Sequence, residues 1–266
     1  MNTSICGVNI LKIVRFSVDE QEMWGIWENN IIKSISGDIF SSYSISTKTF
    51  LPSEVKLLAP SKPSKAICVG LNYFDHAKEM KLDIPGIPLF FLKPPSSVTS
   101  PLSVIDYPDM TNDLHYEAEM AVVIKKTAKD ISRDESFDYI LGYTCANDIT
   151  ARDLQKNDGQ WTRSKSFDTF LPFGPWIETE INPHNLDIKL YLNGEIKQHS
   201  NTSNLIFKVP DLISYLSRIM TLNPGDIILT GTPAGVGPMM PGDVVKVEID
   251  GLGTLENYVQ KINHKI

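Results

Sequence analysis

The segment His115-Tyr116-Glu117-Ala118-Glu119-Met120 alternates as a strand does, so His115, Glu117 and Glu119 fall on one face. Two carboxylates at neighbouring same-face positions repel each other unless something positive lies between them. The run that follows, Ala121-Val122-Val123-Ile124, reads as buried, and a buried carboxylate without a partner is expensive. A cation between the two glutamates is one physical explanation; a solvated edge face fits the same pattern. Asp148 tips the balance, because it directly follows the apolar run YILGYTCAN and sits at a strand end, where loop residues build sites. Three carboxylates suit a hard cation, Mg2+ or Mn2+, and the absence of CxxC or paired histidines speaks against zinc.

Other candidates lie nearby in sequence. If Asp148 caps a short helix over 149–156, Arg152 and Gln155 share a face near the cation; an ordinary exposed arginine is the alternative. Lys165, in Arg163-Ser164-Lys165-Ser166-Phe167-Asp168, stands beside the aromatic and Pro/Gly-rich run FLPFGPW. There it is a candidate for carboxylate binding or acid/base work, although an exposed lysine is the commoner case. His76 and Glu79 are spaced i, i+3 on a short helical segment, so the carboxylate can orient the imidazole as a general base; a surface ion pair has the same spacing. The loop TGTPAGVG matches neither a phosphate-binding loop nor a dinucleotide fingerprint, and its Thr230 and Thr232 offer hydroxyls at a strand end.

The elements that must position these residues are mostly strands. KAICVG, PLFFLK, EMAVVI, YILGYTCAN, DIKLYLNGEIKQ, DIILTGTP and DVVKVEIDGLGTLEN all carry strand patterns, and Asn193-Gly194 and Asp250-Gly251 mark hairpins. Helical periodicity is clear at 208–220, with shorter candidates at 73–80 and 149–156. A mainly β domain with some α follows, as a barrel or sandwich variety. Residues 9–35 read as a small β appendage, and the proline-bearing stretch 51–65 as a linker or crossing segment. The expected division is a small N-terminal β domain, 1–60, and a catalytic domain, 61–266.

Composition narrows the partners. A net charge of −7 over 266 residues argues against nucleic acid or an anionic membrane, both of which need a clustered basic surface. Cys6, Cys68 and Cys145 are odd in number and suggest no disulfide framework; Cys68 and Cys145 read as small buried hydrophobes. With no signal-peptide pattern and no apolar run of membrane-spanning length, the cytoplasm is the expected location.

Taken together, the stretches VGLNYFDHAKEM, HYEAEMAVVI, GYTCANDITARDLQ, RSKSFDTFLPFGPW, LNGEIKQ, TLNPGDIILTGTPAGVGPM and PGDVVKVEIDGLGTLEN resemble the fumarylacetoacetate hydrolase family, in family order over about residues 65–260. The resemblance implies a mixed β-sandwich roll in which Glu117, Glu119 and Asp148 hold Mg2+ or Mn2+. It implies that Lys165 contacts the substrate, that Arg152, Gln155 and Thr232 bind its carboxylate, and that His76 and Glu79 form an acid/base dyad on a mobile lid. It also implies a homodimer. One departure is His115, where many relatives carry Asp.

The expected substrate is a small anionic 2-oxo acid or its enol. Such a ligand chelates a cation through a carboxylate oxygen and the 2-oxo oxygen, and the reaction runs through a metal-bound enolate. The same scaffold suits acylpyruvate hydrolysis, oxaloacetate-type decarboxylation, or isomerisation of a 2-hydroxyhepta-2,4-diene-1,7-dioate-type intermediate of aromatic catabolism. The presence of both His76 and Glu79 favours C–C bond cleavage; a non-catalytic metal- or ligand-binding module is the remaining reading.

Overall fold

Runs rich in Val, Ile, Tyr and Thr pair into one long, mainly antiparallel sheet. In the computed structural model, which describes residues 11–81 and 83–262, its strands lie in the order Tyr43–Phe50, Ile31–Gly37, Gln21–Glu28, Lys12–Val18, Leu171–Glu178, Ile140–Asn147, Ala118–Ile124, Ile227–Leu229, Ala66–Gly70, Leu89–Lys93. The N-terminal strands continue this sheet: Lys12 is in register with Glu178 and Ile13 with Ile177. The proline-bearing stretch after them contains a short strand, Lys56–Leu58, paired antiparallel with Lys12–Val18. Cys6 lies outside the described residues; Cys68 and Cys145 are buried free thiols, as the apolar runs around them suggest.

A second sheet of five strands, Glu195–Asn201, Asp187–Leu192, Val244–Ile249, Gly253–Gln260 and Val104–Asp106, packs against the first. The core between them joins Met120, Val122 and Cys145 of the long sheet to Leu190, Val245 and Val247 of the second. Ala121, Val123, Phe173 and Leu229 form another cluster. The strand Ala118–Ile124 therefore buries both faces, which is why its sequence is a continuous apolar run around a single Glu119.

Among the described residues the α-helices are four and short: α1 (Phe74–Met80), α2 (Arg152–Asp158), α3 (Thr162–Lys165) and α4 (Val209–Ile219). Helix α4 buries Leu212, Ile213 and Leu216 and starts at Val209-Pro210, with the Lys208 N–H donating to Asp211 at 3.0 Å. The Asn193-Gly194 turn has both residues at positive φ, +52° and +84°, which is what a tight hairpin demands.

Two local expectations need correction. Helix α2 begins at Arg152 with Ala151 as its N-cap, so Asp148 does not cap it. Thr150 and Ala151 are instead paired with His115 and Leu114 in a small three-stranded sheet that also includes Gly237–Met239. The strand expected over 226–233 ends at Leu229, because Gly231 turns the chain at φ +101°. A Cβ at Gly231 would stand 2.8 Å from the Asn72 Cβ, so only glycine fits there.

Candidate active site

The three carboxylates arrive on two segments that are hydrogen-bonded to each other. Glu117 lies at the break between the strands Leu114–Tyr116 and Ala118–Ile124, and Asp148 follows the strand Ile140–Asn147. The Glu117 N–H donates to Asn147 Oδ1 at 2.9 Å, and the Asp148 N–H donates to the Glu117 carbonyl at 2.9 Å. All three carboxylates are buried, and one oxygen of each lies within 4.8 Å of the others.

Cationic side chains balance two of the three. Lys165 Nζ donates to Glu117 Oε2 at 2.8 Å and to Asp148 Oδ2 at 2.7 Å. Arg152 donates through one guanidinium nitrogen to Glu117 and through another to Gln155 Oε1, each at 2.5 Å. Lys93, fully buried, donates to Asp148 Oδ1 and to the carbonyls of Ile149 and Phe170 at 3.0 and 2.6 Å. Glu119 has no ion-pair partner among the described residues; its hydrogen bond comes from the Gly231 N–H at 2.5 Å. Burial, then the charges of Asp148 and Glu117, push the Glu119 carboxyl well above its ordinary pKa. Burial acts the same way on Glu117, but Lys165 and Arg152 outweigh it and hold that carboxyl well below. For Lys165 burial opposes the ammonium, and Asp148 and Glu117 overcome it and keep its pKa raised.

This donor set fits a hard divalent cation. The ligand atoms are all oxygens, they converge, and one carboxylate lacks a countercharge. Three carboxylates face three cationic groups, so the cluster is formally neutral, and a divalent ion there would leave it net positive.

The cluster opens into a cavity of ≈ 280 Å³. His76, Glu117, Glu119, Asp148, Arg152, Gln155, Lys165 and Thr232 line it, and Leu71, Met80, Leu89, Phe91 and Trp161 make an apolar wall. Phe91 and Trp161 meet edge to face at 5.3 Å, and Lys165 Nζ lies 5.0 Å from the Phe91 ring centre. Glu79 does not line the cavity but holds His76 from behind, Oε2 to Nδ1 at 3.0 Å, while its Oε1 accepts from the Gly235 N–H at 3.1 Å. Helix α1 buries Ala77 alone; these bonds, the one from Ser200 to Asp75 (2.6 Å) and the buried Asn72 and Tyr73 just before it dock it.

Among the sequence candidates, Thr230 is spent on the neighbouring strand: its hydroxyl donates to the Met120 carbonyl at 2.9 Å. His115 turns to Asp113 at 2.8 Å, and burial and then nearby Arg152 hold its pKa below the ordinary value. Lys93, Trp161, Gln198 and the Gly231 amide escaped the sequence reading. A lysine ending the apolar run PLFFLK was the one available signal for Lys93.

Fold and site together define a mainly β protein with a buried acidic triad at the floor of an anion-compatible cavity. A profile described as "Fumarylacetoacetate (FAA) hydrolase C-terminal" matches residues 65–260, and one described as "Rv2993c-like, N-terminal" matches 11–60. The chain belongs to the fumarylacetoacetate hydrolase family. It is 44% identical over 220 residues to the oxaloacetate tautomerase fahd2, mitochondrial, of Xenopus laevis, covering 78% of this chain and 69% of that one. The crystal structure of 2-hydroxyhepta-2,4-diene-1,7-dioate isomerase from Mycobacterium marinum superposes with a TM-score of 0.89 at 39% identity, covering 96% of this chain and 100% of the other. Maleylpyruvate hydrolase from Sphingobium sp. SYK-6, solved with manganese(II) and pyruvate, gives a TM-score of 0.79 at 30% identity, covering 94% and 99%. No helix among the described residues is long and apolar enough to cross a membrane.

Proposed function

We propose that this chain is a divalent-cation-dependent enzyme of the cytoplasm that acts on a small anionic 2-oxo acid or its enol. The observation that carries the reading is the convergence of Glu117, Glu119 and Asp148 within 4.8 Å at the floor of a cavity that His76 also lines. Mg2+ or Mn2+, held by the three carboxylates, would supply charge that polarises the 2-oxo group. Arg152, Gln155 and Thr232 bind the substrate carboxylate, and Lys165, kept as an ammonium, adds charge beside the reacting end. Glu79 takes up the Nδ1 side of His76, which leaves Nε2 to move a proton. The apolar wall of Leu71, Met80, Leu89 and Trp161 keeps bulk water from the carbon being deprotonated or cleaved.

A His76–Glu79 dyad serves C–C cleavage if it activates water, and acylpyruvate hydrolysis or oxaloacetate-type decarboxylation is the outcome the residues favour. Proton movement alone is the second reading, supported by the similarity to a tautomerase and an isomerase. In that case His76 takes a proton from the carbon next to the 2-oxo group and returns it elsewhere. A panel of oxaloacetate, acylpyruvates and 2-hydroxy-dienedioates with Mg2+ or Mn2+ tests both, with enol loss and pyruvate release followed separately. Inactivity on every member would leave a non-catalytic binding module. The partner we infer is a second copy of the chain, for which exposed Ile84, Ile87 and Leu92 offer apolar surface; light scattering in solution tests that.

A further inference from the structure

Gln198 sits on the strand Glu195–Asn201, buried to 1% exposure, and each polar atom of its amide has a partner of fixed character. Oε1 accepts from the Ala118 N–H at 2.9 Å. Nε2 donates to the Pro233 carbonyl at 2.8 Å and to Thr232 Oγ1 at 2.9 Å. A backbone N–H only donates and a carbonyl only accepts, so the amide cannot be turned over without losing both. Both Nε2 hydrogens are then committed, and Thr232 Oγ1 must act as the acceptor in its bond to Gln198. The Thr232 proton is left over, and no hydrogen bond takes it up among the described residues. Thr232 is 5% exposed and lines the cavity, so the proton's outlet is the ligand space beside the carboxylates.

We propose that Gln198 is a positioning residue that makes Thr232 a one-way hydrogen-bond donor to an anionic oxygen of the ligand. A free hydroxyl donates or accepts as its neighbours allow, whereas this one is polarised to donate. The same amide fixes the Ala118 N–H, between Glu117 and Glu119, so one side chain sets the spacing between cation ligands and anion-binding hydroxyl. The inference rests on the 2-oxo acid reading, since it needs a carboxylate or a similar anion as acceptor.

The test is calorimetric titration of pyruvate into Mn2+-loaded full-length protein, with Mn2+ affinity and melting temperature measured for each variant. Gln198→Glu keeps an acceptor for Ala118 but offers Thr232 a second one, which turns the hydroxyl away from the ligand. The expected result is about 10-fold weaker pyruvate binding, the usual worth of one hydrogen bond to a charged group, with Mn2+ affinity unchanged. Thr232→Val loses as much, Thr232→Ser restores most of what Thr232→Val loses, and the Gln198→Glu/Thr232→Val double variant is no worse than either single one. Gln198→Met, which neither donates nor accepts, gives an intermediate loss and decides the matter if the glutamate variant does not fold. Wild-type pyruvate affinity in the Gln198 variants, or losses that add in the double variant, overturns the inference while leaving the 2-oxo acid reading intact. Failure of the wild-type protein itself to bind pyruvate overturns that reading and the inference with it.

Discussion

Lys93 and Asp148, 55 residues apart in sequence, form an ion pair at the floor of the cavity with both side chains sealed from water. The other two ammonium protons go to the carbonyls of Ile149 and Phe170, so Lys93 has no donor to spare. Lys165 differs: the hydrogen-bond acceptors of its ammonium are carboxylate oxygens alone. A divalent cation held by the three carboxylates would compete with Lys165 for those oxygens, whereas Lys93 would keep its two backbone carbonyls in any case.

Lys93→Met should therefore act on stability. Removing one member of a buried pair strands the other charge, which costs about 3–5 kcal/mol. Denaturant unfolding of the metal-free protein measures it, and Lys93→Met/Asp148→Asn should recover part of the loss. A change below about 1 kcal/mol would mean that Asp148 is held by its other contacts alone.

The opposite outcome is expected at Glu119. This carboxylate is buried without a countercharge, and a glutamine still accepts the Gly231 N–H. Glu119→Gln should leave the metal-free protein at least as stable as wild type and weaken Mn2+ binding by about 100-fold or more. Lys165→Met should spare Mn2+ binding, because it removes a competitor for the oxygens of Glu117 and Asp148, yet raise the KM of a 2-oxo acid. Titration with Mn2+ checks both variants; undiminished affinity in Glu119→Gln would remove it from the ligand set.

Much of the fold was legible because local rules and the global sheet agree. Asn193-Gly194 turns where a hairpin needs positive φ, and the run from Ala118 to Ile124 is apolar because both its faces are buried. The acidic triad was legible too, since Glu117 and Glu119 stand two residues apart at the start of one strand, Asp148 directly follows the neighbouring strand, and the three converge. Lys93 and Gln198 were not. Each reads as an ordinary polar end of a strand, and what buries them is chain from remote segments: residues 148–149 and 170 for Lys93, residues 118 and 232–233 for Gln198. The misplaced start of α2 has a similar origin. Asp148 has the residue type of a helix cap, but its carboxylate is taken by two lysines that its local sequence does not reveal.

Gly231 separates backbone geometry from packing. Its φ of +101° and a Cβ position 2.8 Å from the Asn72 Cβ leave alanine neither the conformation nor the space. Gly159, at φ +69°, has open space around the same position. Gly231→Ala should lower stability by about 3 kcal/mol or more and weaken Mn2+ binding, because its N–H holds Glu119. Gly159→Ala should cost about 1–2 kcal/mol and leave Mn2+ affinity alone. Equal losses in the two variants would show that space at Gly231 is immaterial.

On the proposed reading, the His76–Glu79 dyad decides what the site does with a bound substrate. His76 reaches the cavity from α1, and Glu79 spans its Nδ1 and the Gly235 N–H, so Glu79 both orients the imidazole and pins the helix to the loop carrying Thr232. His76→Ala should lower turnover by about 100-fold or more, the usual worth of a general acid–base group, with Mn2+ affinity intact because the carboxylates lie on other segments. Glu79→Gln divides the two roles, since an amide oxygen still accepts from Gly235 while the negative charge beside the imidazole is gone. If orientation by charge matters, kcat falls and KM holds; if Glu79 is only a tether, both stay at wild-type values. With oxaloacetate, cleavage predicts that pyruvate release falls in step with enol loss in His76→Ala. Release that continues at the wild-type rate while enol–keto exchange is abolished would assign His76 to proton movement and favour the tautomerase reading.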